Sequence, residues 1–173
     1  MRTLTGFKAS DYFARNARAL KLRKIPTTLT AIGEASNIMS TAPATTARDL
    51  SRQSAERVKA HDREGWLNLF ADDAVVQDPV GPSVLDPTGL GHRGRDAIGR
   101  FYDMAIAPNK DVTFDVHHSF LCGDEVANMV TMHITTGNDA KLKVPAVVVY
   151  KRAANGKIAS LRAFWEISTV PGF

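Results

Sequence analysis

The hydrophobic repeat of this chain changes near residue 111, and that change constrains the fold more than any other feature. Downstream of it, every second position carries an apolar or aromatic side chain, as in Val112, Phe114, Val116, His118 and Phe120. Gly-Asp, Gly-Asn and Asn-Gly pairs at 123–124, 137–138 and 155–156 are turn signals within this region. The pattern predicts four long strands joined as consecutive hairpins, over 111–121, 125–136, 141–152 and 157–168.

Upstream of that point, apolar residues recur every three or four positions, which predicts helices. A helix over 48–61 carries Leu50, Ser54 and Val58 on one face, a short helix is predicted over 64–71, and a third over 95–107. A short strand over 74–77 and a Gly- and Pro-containing loop over 80–92 separate the last two. Helices followed by hairpins predict an α+β fold, with three helices packed on one face of a curved antiparallel sheet. Such packing leaves a hollow that suits a small ligand.

The positive charge of the chain is confined to one end. Residues 1–38 hold seven Lys and Arg but only two acidic residues, whereas the remainder carries a net charge of −1. The basic composition therefore gives no reason to expect nucleic-acid binding. Residues 1–38 are compatible with a transit peptide, with a flexible basic arm, or with a start placed upstream of a native Met39. We favour the last and expect a mobile, dispensable extension before one domain over 39–173.

Several site classes are excluded or disfavoured by the residues present. One cysteine, Cys122, excludes an internal disulfide framework. His117 and His118 are adjacent in a predicted strand and point to opposite faces, so they cannot chelate one metal ion. No phosphate-binding glycine motif or zinc-protease motif occurs, and no apolar run approaches the length of a membrane span. We expect no metal, no cofactor, no membrane span and a cytoplasmic location.

Asp78 is the strongest candidate for chemistry. It ends the apolar run at 74–77 and precedes Pro79, which favours an extended conformation at Asp78. A carboxylate beside an apolar hollow can act as a general base, because burial raises its pKa towards neutrality. A cap of the following turn is the structural alternative.

The residues around Asp78 resemble the ketosteroid isomerases of the NTF2-like and SnoaL-like superfamily. The resemblance rests on FADDAVVQDPVG at 70–81, on GRDAI at 94–98 with Phe101 and Tyr102, and on GKI at 156–158 with RAFW at 162–165. It keeps the same order over residues 48–168 and implies an NTF2-like cone of three helices on a curved sheet. It also implies that Asp78 moves a proton between two carbons next to a carbonyl group.

The same resemblance implies two hydrogen-bond donors, a Tyr and a protonated Asp, for the oxygen of the developing enolate. Counting without gaps, Ser54 stands at the Tyr position and Ala146 at the Asp position. Tyr102, Ser54 and Asn128 are the candidate replacements, although Tyr102 is equally compatible with a core aromatic residue. The predicted pocket is formed by Ser54, Trp66, Phe70, Phe101, Asn128, Ala146 and Trp165, with Asp78 and Tyr102 as catalytic residues.

Three functions are compatible with this pattern. The first is cofactor-free isomerisation of a steroid-like carbonyl compound with Asp78 as base. The second is a non-catalytic or very slow steroid- or lipid-binding protein with the same pocket. The third is a SnoaL-like cyclase or epoxide hydrolase. The resemblance also implies a homodimer through the outer sheet face, where Pro145, Val147 and Val149 alternate.

Overall fold

In the computed structural model, the described residues are 45–170. The predicted extension over 1–38 lies outside them. Within the described part of the chain, no helix is both long enough and apolar enough to cross a membrane.

The helices bury one face each against the sheet. Helix α1 (Ala47–Lys59) begins with a capping box between Thr46 and Asp49, and its inward face includes Leu50, Ser54 and Val58. Helix α2 is short (Arg63–Leu67), and helix α3 (Gly94–Phe101) continues as a π-helical segment (Tyr102–Ile106). The three predicted helices are therefore present.

The six strands form one curved sheet. They are β1 (Phe70–Gln77), β2 (His92–Arg93), β3 (Asp111–Cys122), β4 (Glu125–Thr135), β5 (Lys141–Arg152) and β6 (Ile158–Phe164), in the order β2-β1-β6-β5-β4-β3. Strands β3 to β6 are the consecutive hairpins that the turn signals predict. The sheet is antiparallel except at the β1–β6 pair, which is parallel. A 3-10 turn (Ile167–Thr169) follows β6.

The second helix ends earlier than the sequence pattern predicts. Phe70 belongs to β1, not to the helix predicted over 64–71. The Ile158 N–H donates to the Leu69 carbonyl at 2.8 Å, and Phe70 is in register with Ile158. Pairing with β6 therefore decides the conformation at a position where the local apolar pattern favours a helix.

A β-bulge in β3 overturns the predicted single alternation of that strand. Val116 pairs with Val130, but His118 pairs with Met129, so the register shifts at His117. Because side chains alternate between faces, one extra residue moves every later side chain to the opposite face. Phe120 consequently lies exposed on the outer face.

The buried face of α3 generates a stability prediction. Ile98 is 0% exposed, so Ile98→Ala leaves a cavity and lowers the free energy of unfolding by about 2–5 kcal/mol. The matched control is Leu90→Ala, at a side chain that is 79% exposed. This substitution should change the free energy of unfolding by less than about 0.5 kcal/mol. Urea unfolding followed by circular dichroism measures both. Equal losses in the two variants would contradict this packing.

Candidate functional site

A cavity lies between the helices and the inner face of the sheet. The open space inside it, counted together with the solvent at its mouth, is about 830 Å³. Most of its lining is apolar and includes Val58, Leu85, Phe101, Met132, Val148 and Leu161. Asp78 is the one charged side chain among the described residues that line it.

The Asp78 carboxyl group lies at the wall of this cavity, just beyond the end of β1. Trp165, which follows β6, donates a hydrogen bond from Nε1 to Asp78 Oδ1 at 2.6 Å. Burial raises the pKa of Asp78 to about 6, against the smaller lowering effect of the Trp165 hydrogen bond. No cationic side chain lines the cavity within residues 45–170, so no ion pair there adds to the lowering effect of the Trp165 hydrogen bond. A carboxyl group with such a pKa can both take and return a proton near neutral pH.

A second polar group on the wall is the hydroxyl of Ser54 on α1. Ser54 is buried, and its Oγ accepts a hydrogen bond from Trp66 Nε1 at 2.8 Å. The Tyr150 hydroxyl, from β5, also donates to Ser54 Oγ, at 3.2 Å. All three residues line the cavity that contains Asp78. The Asn109 side chain also lines the cavity, but its Nδ2 donates to the Ala105 and Ile106 carbonyls. The groups that could exchange or donate a proton to a ligand are therefore the Asp78 carboxyl and the Ser54–Tyr150 hydroxyl pair.

The structure brings together five of the predicted site residues and separates four. Those that line the cavity are Ser54, Trp66, Asp78, Phe101 and Trp165. The other four are absent from its lining and lie either behind its wall or on other surfaces.

Two aromatic residues of the predicted site lie behind the wall. Phe70 and Tyr102 are buried and pack against Trp66, with ring centroids 4.6 Å and 5.3 Å away. The Tyr102 hydroxyl has no hydrogen-bond partner among the described residues. Neither side chain borders the cavity space itself.

The remaining two residues lie on other surfaces. Asn128 donates from Nδ2 to Ser51 Oγ at 3.2 Å and lines a second cavity beneath α1. Ala146 is partly buried on β5 and borders a separate groove, which Met129, Val147 and Phe164 also line. The β5 residues that line the cavity with Asp78 are Val144, Val148 and Tyr150.

Sequence reasoning missed Tyr150 as a site residue. The signal is present, because the alternation that directs Val147 and Val149 to the outer face also turns Tyr150 inward. The loop that contains residues 82–92 contributes to the site as well. Leu85 from this loop forms part of the wall, and the backbone N–H of Gly91 donates to the Asp86 carboxylate at 2.7 Å within it.

Comparison with known proteins identifies relatives of this chain. The SnoaL-like domain family matches residues 51–161. A steroid Δ-isomerase from Nocardioides simplex is 35% identical over 100 residues, which cover 56% of this chain and 71% of that protein.

Solved structures agree with this family. RV0760c from Mycobacterium tuberculosis, in complex with estradiol-17β-hemisuccinate, is 36% identical with a TM-score of 0.67, covering 72% of this chain and 96% of that one. A Δ5-3-ketosteroid isomerase from Mycobacterium sp. is 35% identical with a TM-score of 0.68, covering 72% and 95%. The epoxide hydrolase/cyclase-like enzyme SalBIII is 23% identical with a TM-score of 0.61, over 72% and 93%, and shares the fold.

The buried carboxyl group makes the stability of the protein depend on pH. The pKa of Asp78 is higher in the folded protein, about 6, than its ordinary value of 3.8. The folded state therefore binds this proton more tightly, and the contribution of Asp78 to stability is present below about pH 4 and is lost as the pH rises through 6. Asp78→Asn removes the buried charge, so the variant gains stability over the wild type at pH 8, by at most about 3 kcal/mol.

Urea unfolding of both proteins at pH 4.5 and pH 8 tests this expectation. The difference between variant and wild type should grow with pH. Asp73→Asn, at an exposed position of the same strand, controls for the loss of one charge. A difference that is the same at both pH values would contradict the burial of the Asp78 charge.

Proposed function

This chain belongs to the SnoaL-like domain family and resembles its ketosteroid isomerases, and from that premise we propose that it isomerises a steroid-like carbonyl compound without a cofactor. The observation that carries the proposal is the Asp78 carboxyl group, held by Trp165 at the wall of an apolar cavity. Its pKa of about 6 suits a group that takes and returns one proton.

The proposed reaction needs only one base. Asp78 takes a proton from the carbon next to the carbonyl group, and the C–H electron pair forms a carbon–carbon double bond while the carbonyl π pair moves to oxygen. The protonated Asp78 then returns the proton to a carbon two positions further along the conjugated system. The π pair at that carbon forms the new C–H bond, the neighbouring π pair shifts into conjugation, and the electron pair on oxygen re-forms the carbonyl group. Trp165 contacts Oδ1, and no hydrogen bond to Oδ2 is present within residues 45–170, which leaves that oxygen for the proton transfer.

The lining of the cavity supports the proposal of an apolar ligand. Its walls are mainly aliphatic and aromatic, and burial of such surface contributes about 25 cal/mol per Å² to binding. The complex of RV0760c with a steroid ester supports the same class of ligand for a relative of 36% identity.

A steroid-binding protein without rapid chemistry is the second candidate. Ser54 stands at the expected position of one oxyanion donor, and Ala146, at the other, does not line the cavity. One such donor contributes about 3–4 kcal/mol to catalysis. A cyclase or epoxide hydrolase finds less support, because Asp78 is the one acidic side chain on this cavity among the described residues.

We also propose that the protein is a homodimer through the outer face of the sheet. Met129, Val147 and Phe164 are partly exposed and lie side by side across β4, β5 and β6. Phe120, displaced outward by the bulge, adds a fourth apolar side chain. Pairing with a second copy would cover this row. A cytoplasmic location stays a prediction.

The assignment of Asp78 as base predicts loss of turnover without loss of binding. Asp78→Asn lowers kcat on a Δ5-3-ketosteroid by about 10²- to 10⁴-fold, because the amide cannot accept the proton. Absorbance of the conjugated product measures turnover. Quenching of Trp66 and Trp165, the two tryptophans of the chain, measures steroid binding.

The same assay with Asp73→Asn should match the wild type. Tight steroid binding by a wild-type protein without turnover would overturn the isomerase and leave the binding protein. Turnover that survives in Asp78→Asn would exclude this base.

The proposed dimer predicts a change in mass. Val147→Lys with Phe164→Lys places charges in the centre of the apolar row, so the protein should sediment as a monomer in analytical ultracentrifugation. Leu90→Lys, at an exposed loop position, should leave the wild-type mass unchanged. A monomeric wild type at micromolar concentration would contradict the proposal.

A further inference from the structure

We propose that the Tyr150 hydroxyl, held by Ser54, donates the hydrogen bond that stabilises negative charge on the carbonyl oxygen of the ligand. The inference rests on the proposed function, since it assigns a donor to the cavity in which Asp78 would act. It places the donor on β5, at a position that the family resemblance did not indicate.

The placement of the donor group follows from three elements of the fold. Tyr150 reaches the cavity from β5, Ser54 from α1 and Trp66 from α2. The two hydroxyl oxygens are 3.2 Å apart, and Trp66 Nε1 is 2.8 Å from Ser54 Oγ. Asp78 lines the same cavity, and its charge acts on the Tyr150 hydroxyl. The base and the hydroxyl pair therefore face one ligand.

Counting the hydrogens shows what this cluster can offer. An indole N–H only donates, so Trp66 must donate to Ser54. The two hydroxyl groups carry two hydrogens, and one of them occupies the bond between Ser54 and Tyr150. Whichever way that bond points, one hydroxyl hydrogen remains, and a ligand oxygen in the cavity can accept it.

Tyr150 is the better donor of the two. A phenol, with an ordinary pKa near 10, is far more acidic than an aliphatic hydroxyl and donates more strongly to a developing oxyanion. When Tyr150 turns to the ligand, Ser54 can donate to the phenol oxygen while still accepting from Trp66. Such a chain of hydrogen bonds strengthens its terminal donor. Ser54 is thus a positioning residue for Tyr150.

Burial keeps this donor protonated. The pKa of Tyr150 is raised to about 12 by burial, against a lowering by the Ser54 hydrogen bond, with a further rise from the charge of Asp78. The hydroxyl therefore retains its proton near neutral pH, where Asp78 is ionised.

The other candidate donors are less well placed. The Tyr102 ring packs behind Trp66, and Tyr102 is absent from the cavity lining. The amide of Asn128 donates to Ser51 in the second cavity. Tyr150 lines both cavities, whereas Asn128 lines only the second of them.

The kinetic test compares one variant of Tyr150 with two variants of Ser54. Tyr150→Phe should lower kcat on a Δ5-3-ketosteroid by about 10²- to 10³-fold and raise KM by at most about tenfold, because the donor acts mainly on charge that forms in the transition state. Ser54→Ala should lower kcat by about tenfold, the value of one ordinary hydrogen bond, and Ser54→Thr should restore most of it. The acid limb of the pH profile, which reports Asp78, should stay in place in all three.

A binding test separates this inference from the isomerase activity. Tyr150→Phe should raise the Kd of a saturated 3-ketosteroid about tenfold and leave the Kd of the same steroid without its 3-oxygen unchanged. This difference is measurable even if the wild type shows no turnover, and it would then support the donor in a binding protein.

Three results would overturn the donor assignment. The first is equal weakening of both steroids by Tyr150→Phe, which would indicate a packing role. The second is unchanged binding of both together with unchanged kcat. The third is a large loss of kcat in Tyr102→Phe but not in Tyr150→Phe. Should Tyr150→Phe fail to fold, the same pair of steroids is measured with Ser54→Ala, whose failure to discriminate between them would also overturn it.

Discussion

The parallel pairing of β1 with β6 is the contact on which the candidate site depends. It joins the first strand of the domain to the last, and Gln77 is in register with Arg162 across it. The Val80 N–H donates to the Ala163 carbonyl at 2.8 Å, which continues the pairing past the end of β1. Asp78 and Trp165 consequently meet, although 87 positions separate them in the chain. Without this pair, the carboxyl group would leave the cavity wall.

The polar groups of the cavity differ in how well the fold satisfies them. The Trp66, Ser54 and Tyr150 cluster is internally hydrogen-bonded, so its burial costs little. Asp78 receives a hydrogen bond from Trp165, and burial still raises its pKa to about 6. The fold thus tolerates one poorly solvated carboxyl group. Its burial lowers the stability of the folded state locally, as is common in active sites, and the rest of the core offsets this loss.

The order of helices and strands could be predicted from the sequence, because the hydrophobic repeat and the turn residues depend only on neighbouring positions in the chain. The alternation after residue 111 and the three turn pairs correctly predicted β3 to β6, and the Leu50, Ser54 and Val58 stripe predicted α1. Phe70 and Phe120 were misassigned because distant pairing decides their geometry: β6 draws Phe70 into a strand, and the bulge opposite Val130 turns Phe120 to the outer face. The same limit applies at the site. Pro79 and the apolar run before it predicted an extended conformation at Asp78, beside an apolar hollow. The contact of Asp78 with Trp165 and the Tyr150–Ser54 hydrogen bond could not be predicted, because they depend on packing between elements.

In the proposed reaction, the charge balance is a reason why one base and one donor would suffice in such an apolar space. Before proton transfer the negative charge is on Asp78, and after it the same charge is on the oxygen of the ligand. The net charge in the cavity therefore does not change, so the transfer requires no additional charge to be buried. The charge moves from Asp78 towards the oxygen that Tyr150 would contact. A hydrogen bond from Tyr150 to that oxygen would strengthen as the charge forms, because hydrogen bonds to ionised acceptors are stronger than those to neutral ones. An interaction that is stronger in the transition state than in the bound ground state would raise the rate of the chemical step.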